Sequence, residues 1–215
     1  MAVRYPVMVD LAGRPCLVVG GGEVATRKVL GLLAAEAHVT VRSPELGAPL
    51  AELARAGRIR WEEQAYGGLG VAADGRPWSL VLAATSDVAV NGRVASDAAA
   101  VGAWANDASD PTGGAVAVPA SWHTGPVTVA VSTDGVHPGA ARWLCDQAAQ
   151  AITPEAIAAL DLIDEIRLED VAGGGLGRRP DWRLAVESGT LDLIREGQLA
   201  EAKERLQACL SSSSD

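Results

Sequence analysis

The stretch that most constrains the fold is a short apolar run that ends in three glycines and continues as a helical pattern. The run Leu17-Val18-Val19 leads into Gly20-Gly21-Gly22, and Glu23-Val24-Ala25 opens the helix. A parallel strand passes into a helix through such a turn in the dinucleotide-binding βαβ unit. Gly20 suits the tight turn, Gly22 lets a pyrophosphate approach the backbone, and Ala25 allows close contact between helix and sheet.

The start of this helix is the predicted cofactor site, because free N–H groups at a helix N-terminus bind phosphates. The ends of neighbouring strands would complete the site. We therefore predict that a nucleotide contacts the glycine turn, the first helical residues and two further strand ends, at Gly20, Gly21, Gly22, Glu23, Val24, Ser43, Pro44 and Thr85. An ordinary glycine-rich turn is the alternative interpretation of the motif.

The order of predicted elements indicates an α/β fold with an N-terminal Rossmann-type parallel sheet. Strands and helices follow as β-α-β-α-β-β-α-β up to about residue 105. Two more strands at 115–119 and 127–132 and a helix from Pro138 then predict a small α+β segment for dimerisation. We expect three regions: an NAD-binding Rossmann domain at 1–112, a dimerisation and substrate segment at 113–150, and C-terminal helices at 151–215. A glycine-rich linker at 172–180 interrupts those helices, and another helix is predicted at 182–188.

The end of the second strand leaves the cofactor's phosphate state open. An acid normally binds the adenosine ribose there and selects NAD, but the chain reads Val41-Arg42-Ser43-Pro44-Glu45. Arg42 could accept a 2′-phosphate, whereas Glu45 or the backbone around Ser43 could bind the ribose. We expect NAD as the cofactor, with NADP as the alternative.

Charge and cysteine usage exclude several functions. The chain of 215 residues has a formal net charge of −9, and nucleic-acid binding needs a basic face, so we expect no nucleic-acid partner. Three scattered cysteines provide no metal-ligand spacing and favour a reducing cytoplasm. No signal-peptide pattern opens the chain and no apolar stretch could span a bilayer, so we expect a cytoplasmic protein without a membrane partner.

Three motifs in this order resemble the precorrin-2 dehydrogenase family, the dehydrogenase and ferrochelatase part of siroheme synthases. Residues 18–28 read VVGGGEVATRK, residues 83–87 read AATSD, and residues 125–133 read GPVTVAVST. The resemblance covers roughly residues 5–150. It implies an oxidoreductase that uses NAD⁺ to dehydrogenate precorrin-2, a tetrapyrrole, to sirohydrochlorin in siroheme (or cobalamin) biosynthesis. It also implies a homodimer and, in some members, insertion of Fe²⁺ into the product.

The resemblance assigns a catalytic role to Asp107. Family members carry an aspartate after the fifth strand, and here that stretch ends in Asn106-Asp107. A carboxylate at this position could accept the proton that the substrate loses with the hydride. Asp110 is a second match, and a turn or cap aspartate is the structural alternative.

A second anion site is predicted where the chain turns into the helix that starts at Pro138. We expect substrate contacts from Ser132, Thr133, Gly135 and His137. His137 is either a helix cap or a substrate contact, with proton carrier or metal ligand as the less favoured role. His123 is predicted to lie on a surface loop.

Two other functions remain open. A dimeric Rossmann module could sense NAD(H) without catalysis, because the glycines alone do not require a reaction. A different NAD(P)-dependent oxidoreductase would normally show a Tyr-x-x-x-Lys pair or a Cys/His pair, and the sequence has neither. The second anion site favours the dehydrogenase, since a sensor has no use for it.

Overall fold

The structure, a computed structural model, describes residues 4–110, 112–172, 183, 186 and 188–212. The chain forms two compact units. One comprises the chain up to Val118 together with Asp134–Val136, and the other comprises Pro119–Thr133 and the residues from His137 onward. The predicted linker and the helix at 182–188 lie almost entirely outside the described residues, and the domain division at residues 112 and 150 stays a prediction.

The first unit is a five-stranded parallel sheet with helices, which confirms the predicted Rossmann-type fold. Its strands lie in the order β3-β2-β1-β4-β5. They are β1 (Pro15–Val19), β2 (His38–Arg42), β3 (Arg60–Glu62), β4 (Leu80–Ala83) and β5 (Trp104–Asp107). The helices are α1 (Glu23–Ala34), α2 (Ala48–Arg55) and α3 (Val88–Ala100).

The strand register brings the functional ends of the strands to one edge. Val19 at the end of β1 pairs with Arg42 of β2 and with Ala83 of β4, and Ala83 pairs in turn with Asp107 of β5. From β1 the chain adds β2 and β3 on one side, and it then crosses back to add β4 and β5 on the other side of β1. The point where the strand order reverses lies between β1 and β4. Ligands of open parallel sheets bind at such a switch point, so this edge is where a site is expected.

Apolar clusters cover both faces of the sheet. One contains Val18, Val29 and Leu50, and the other contains Leu17 and Val94. All five residues of β1 are buried, because a central parallel strand has helices or loops on both faces.

The connection at 66–77 is partly buried. Leu69 and Ala72 are buried in the same cluster as Trp78, whose indole Nε1 donates to the Leu69 carbonyl at 3.0 Å. The chain leaves edge strand β3 and enters β4 beside β1. The connection must therefore cross the sheet, and its apolar residues cover the face that it crosses.

The second unit begins with a hairpin, β6 (Ala120–Thr124) and β7 (Val127–Val131), and continues with α4 (Pro138–Ala149), α5 (Pro154–Ala172), α6 (Thr190–Arg195) and α7 (Leu199–Ser212). The predicted strand at 115–119 is wrong, and so is the loop assigned to His123, which lies in β6. Thr124 pairs with Val127 across a two-residue turn in which Gly125 has a φ of +50°. A turn that short requires the first strand to end directly before it.

The buried cysteines are packing residues. Cys16 and Cys145 are buried free thiols, and burial raises the pKa of Cys16 to about 11. The apolar face of α4 consists of Ala141, Cys145 and Ala149, whereas Leu144 is 41% exposed. The reactive thiolate is therefore suppressed at Cys16, as expected for a small core residue.

We expect Gly21→Ala to destabilise the protein by about 1–3 kcal/mol, because overpacking against backbone cannot be relieved by a side-chain shift. A Cβ at this position would lie 1.9 Å from the Glu45 carbonyl oxygen. Gly22→Ala is the matched control, since no atom lies within 4 Å of the added carbon. Urea denaturation measures both, and equal free energies of unfolding would contradict the tight approach.

Candidate functional site

The glycine turn after β1 lies against two neighbouring strand ends. Gly20 has a φ of +125°, and a Cβ there would lie 2.4 Å from the Ala84 carbonyl oxygen. Its N–H donates to the Arg42 carbonyl at 3.0 Å, and the Gly47 N–H donates to the Gly21 carbonyl at 2.8 Å. Only glycine tolerates the first two positions, because backbone atoms occupy the space of a side chain.

The third glycine faces open space. Gly22 is the N-cap residue of α1 and has no side-chain cap hydrogen bond. Glu23 and Val24 follow it on the exposed surface, and the first buried residue of the helix is Ala25. The start of α1 is therefore exposed, and the space beside Gly22 is open, which is the arrangement that anion binding at a helix N-terminus requires.

The predicted contacts after β2 and β4 flank this turn. The Ser43 hydroxyl oxygen lies 2.8 Å from the position of a Cβ on Gly21, and the Thr85 nitrogen lies 3.1 Å from that of a Cβ on Gly20. Pro44 is exposed beside them. The structure thus gathers all the predicted cofactor residues at one edge of the sheet.

The buried side chain of Asn91 holds Thr85 in place. Asn91 on α3 is fully buried. Its Oδ1 accepts from the Thr85 hydroxyl at 2.7 Å and from the Thr85 N–H at 3.0 Å, and its Nδ2 donates to the Thr85 carbonyl at 3.1 Å. Three hydrogen bonds therefore fix the backbone and the hydroxyl of Thr85.

The same asparagine connects this edge to the candidate catalytic carboxylate. Its Nδ2 also donates to the Ser109 hydroxyl at 3.1 Å. The Ser109 hydroxyl and N–H donate to Oδ1 of Asp107 at 2.6 and 2.7 Å, and the Asp110 N–H donates to the same oxygen at 3.3 Å. Asp107 ends β5 and is only 4% exposed. Three donors thus stabilise a buried carboxylate, as in an Asx turn.

Asp110, the second match, has a different environment. It is exposed, and its Oδ1 accepts from the N–H and the hydroxyl of Thr112, both at 2.8 Å. These hydrogen bonds lower the pKa of its carboxyl. Asp110 therefore shapes the loop after β5, while Asp107 is the carboxylate buried at the strand end.

Lys28 is the residue that sequence reasoning missed. Its ammonium donates to Oδ1 of Asn106 at 2.6 Å, and Nδ2 of Asn106 donates to the Val116 carbonyl at 3.0 Å. Burial lowers the pKa of Lys28, with the Arg27 charge adding to the effect and the Asp107 charge opposing it. Its spacing was the available signal, because position 28 lies on the same helical face as the buried Ala25 and Leu32.

The guanidinium of Arg42 is bound by groups of the protein itself. Its Nε donates to Oε2 of Glu62 at 2.7 Å, and its Nη1 donates to the carbonyls of Gly68 and Leu69. The side chain is 7% exposed. Internal acceptors therefore already bind the guanidinium of Arg42, which the sequence left open as a contact for a 2′-phosphate.

The second predicted anion site is divided between the two units. Ser132, Thr133 and His137 belong to the second unit, and Gly135, with a φ of +80°, belongs to the first. His137 is the N-cap of α4, and its Nδ1 accepts from the N–H groups of Gly139 and Ala140 at 3.1 and 3.3 Å. The structure thus places His137 as a helix cap, with Pro138 following in the first turn.

Neither a metal-binding cluster nor a helix that could span a membrane is found in the part of the chain that the structure describes. No cluster of three or more His, Cys, Asp or Glu residues could hold a metal ion there. None of the helices in that part combines the length and the apolar character needed to cross a membrane.

Comparison with known proteins identifies the family of the chain. A family model described as "Putative NAD(P)-binding" matches residues 7–120. Siroheme synthase from Methylococcus capsulatus is 35% identical over 205 residues, which cover 94% of this chain and 42% of that protein. Siroheme synthase 1 from Serratia proteamaculans is 33% identical over 213 residues, with the same two coverages. The chain therefore spans about two fifths of the length of these relatives.

A solved structure matches over nearly the whole chain. It is described as "SirC, precorrin-2 dehydrogenase", with a TM-score of 0.66 and 28% sequence identity. The similarity covers 97% of this chain and 100% of that chain.

Gly22→Asp is expected to abolish binding of NADH, because it places a charge beside the phosphates. The fold should survive, since the space around Gly22 is open. Gly31→Asp adds the same charge to α1 at another exposed glycine with open surroundings and should leave binding unchanged. Titration of NADH fluorescence measures both variants, and retained affinity in Gly22→Asp would rule out the glycine turn as the phosphate site.

Proposed function

The chain belongs to this family of NAD(P)-binding proteins, and we propose that it uses NAD⁺ to dehydrogenate precorrin-2 to sirohydrochlorin in siroheme synthesis. The observation that carries the proposal is the juxtaposition, at one sheet edge, of an accessible glycine turn and a buried carboxylate at the end of β5. The similarity to SirC over nearly the whole chain supports this substrate.

The glycine turn would hold the cofactor. The N–H groups of Gly22, Glu23 and Val24 would bind the pyrophosphate, and Ser43, Pro44 and Thr85 would contact the rest of the nucleotide. Bound NAD⁺ supplies the hydride acceptor. The chain's own residues have to orient the two reactants and accept a proton.

Asp107 would be that proton acceptor. The oxidation removes a hydride and a proton from precorrin-2 and leaves a new carbon–carbon double bond. Oδ1 of Asp107 is engaged by Ser109 and Asp110, and no described residue donates a hydrogen bond to Oδ2. Oδ2 would therefore take the proton while the Oδ1 hydrogen bonds keep the carboxylate oriented.

Lys28 and Asn106 would support this chemistry. The Lys28 ammonium interacts with the Asp107 charge, which opposes the effect of burial on the pKa of Lys28, and Oδ1 of Asn106 holds the ammonium in place.

The substrate carries many carboxylates, and we propose that Ser132, Thr133, Gly135 and His137 bind some of them. The N-terminus of α4 is capped by Nδ1 of His137, and this leaves Nε2 for a ligand. This assignment stays a prediction, as does the homodimer.

The homodimer would form through the second unit. Trp143 is 60% exposed and Leu144 is 41% exposed, both on α4, and exposed apolar side chains of this size are typical of interfaces. We further propose that the protein works in the cytoplasm, where its precorrin substrate and NAD⁺ would be available. Insertion of iron is a separate step, which the same assay tests by adding Fe²⁺ to the product.

The reaction is tested anaerobically with enzymatically made precorrin-2 and either NAD⁺ or NADP⁺. Formation of NADH together with a sirohydrochlorin spectrum is the expected result. Metal insertion above the non-enzymatic rate after adding Fe²⁺ would add chelatase activity. Nucleotide binding without any turnover would instead support the NAD(H)-sensing alternative.

Asp107→Asn should lower kcat by at least about 10²-fold, the usual contribution of a general base, and should leave the Kd for NADH unchanged. The amide keeps an oxygen for the Ser109 hydrogen bonds, so the turn should survive. Asp110→Asn is the matched control in the same loop and should keep its activity. Near-normal turnover in Asp107→Asn would exclude Asp107 as the base, and a loss confined to Asp110→Asn would reassign the role.

The protein should sediment as a dimer at micromolar concentration, and Trp143→Glu should weaken that dimer because it would place a charge in an apolar interface. Val101→Glu is the control, since Val101 is 65% exposed and lies in the first unit. Analytical ultracentrifugation measures both. A monomeric wild type would contradict the proposed dimer.

A further inference from the structure

The end of β2 contains a buried ion pair that the proposed reaction does not use. Arg42 and Glu62 are paired residues at the ends of β2 and β3, and Nε lies 2.7 Å from Oε2. Their side chains are 7% and 17% exposed. Because the pair is shielded from solvent, the protein groups that bind the guanidinium of Arg42 determine its orientation.

The loop after β3 surrounds the rest of the guanidinium. Nη1 of Arg42 donates to the carbonyls of Gly68 and Leu69. The Leu69 carbonyl also accepts from the indole of Trp78. Gly68 and Gly70 have positive φ values of +143° and +60°, which allow the backbone to turn its carbonyls toward the arginine. Arg42 is thus held by acceptors on the β3 side of its strand.

The segment that follows β2 contains a negative charge and no positive charge. In a Rossmann fold this end faces the adenosine ribose, and an arginine there accommodates the 2′-phosphate of NADP. The chain continues from Arg42 as Ser43-Pro44-Glu45-Leu46-Gly47, without a cation. The Trp61 indole donates to the Ser43 carbonyl at 3.0 Å and fixes the start of this segment. Glu45 is exposed and would repel a doubly charged phosphate.

We propose that Glu62 is a specificity-determining residue that makes the site select NAD(H) over NADP(H) by keeping Arg42 away from the nucleotide. This inference rests on the proposed function only in assuming that the glycine turn binds a nicotinamide dinucleotide. Glu62 acts through Arg42 and is therefore a positioning residue. Replacing its charge should let Arg42 turn toward a 2′-phosphate.

The test measures binding of NADH and NADPH to the full chain by fluorescence titration, without a tetrapyrrole. Wild type should bind NADH at least about tenfold more tightly than NADPH, the size of one charge-assisted contact. Glu62→Gln should bind NADPH about tenfold more tightly than wild type does, with its affinity for NADH unchanged. The ratio of the NADPH Kd to the NADH Kd should therefore fall by about tenfold. The double variant Arg42→Met/Glu62→Gln should restore the wild-type ratio, which a purely structural role of Glu62 would not do.

Glu63→Gln is the matched control, because Glu63 is the exposed neighbour of Glu62 and its loss should leave the ratio unchanged. Arg60 lies 3.7 Å from Oε1 of Glu62 and is largely exposed. If the gain in NADPH affinity persists in the double variant, another cation such as Arg60 is responsible and the inference is overturned. An unchanged ratio in Glu62→Gln overturns it as well.

Arg42→Met alone provides a second measurement if Glu62→Gln does not fold. It should leave the NADH-to-NADPH ratio of the wild type unchanged, and a selective loss of NADPH binding would show that Arg42 already contacts the phosphate. Wild type that binds NADPH as tightly as NADH overturns this inference but leaves the dehydrogenase proposal standing. Failure to bind either nucleotide overturns both.

Discussion

The close approach of backbone atoms around Gly20 and Gly21 is the constraint on which the site depends. The Gly20 N–H donates to the Arg42 carbonyl at the end of β2. The Ala84 N–H donates to the Val19 carbonyl at 2.8 Å, and the Gly47 N–H donates to the Gly21 carbonyl. These contacts join the ends of β1, β2 and β4 without any intervening side chain. The third glycine is thereby left facing open space, and the first turn of α1 is presented at the sheet edge where a phosphate can reach it.

Polar side chains beneath this edge connect the cofactor region to the candidate base. Asn91 lies between Thr85 and Ser109, and Ser109 holds Asp107. Buried networks of this kind are stable only when every member has its partners, because an unpaired polar group in the interior is costly. The network therefore also fixes the distance between the end of β4 and the end of β5, and with it the relative positions of a nucleotide and the Asp107 carboxylate.

Local patterns predicted the elements of the first unit well. A buried parallel strand and a capped helix both depend on residues that are close together in the sequence. Asp87 caps α3 by accepting from Ala89 and Val90, as its place before that helix indicated. The first strand of the hairpin was predicted five residues too early and the second at its correct place, since the residues before the glycine–proline turn were read as a loop. The internal partners of Arg42 and Lys28 were not predicted, because they lie 20 and 78 residues away in sequence.

The sequence by itself determined the Rossmann unit, the glycine turn and the position of Asp107 at the end of the fifth strand. These features depend on residue type and spacing within a few neighbours. Only the tertiary structure decided which charges near this sheet edge have internal partners. Glu62 and the carbonyls of the loop after β3 hold Arg42, and Asn106 holds Lys28. Such pairings form when distant segments pack together. Packing removes the charges from water, and a buried charge is stable only when it has an internal partner.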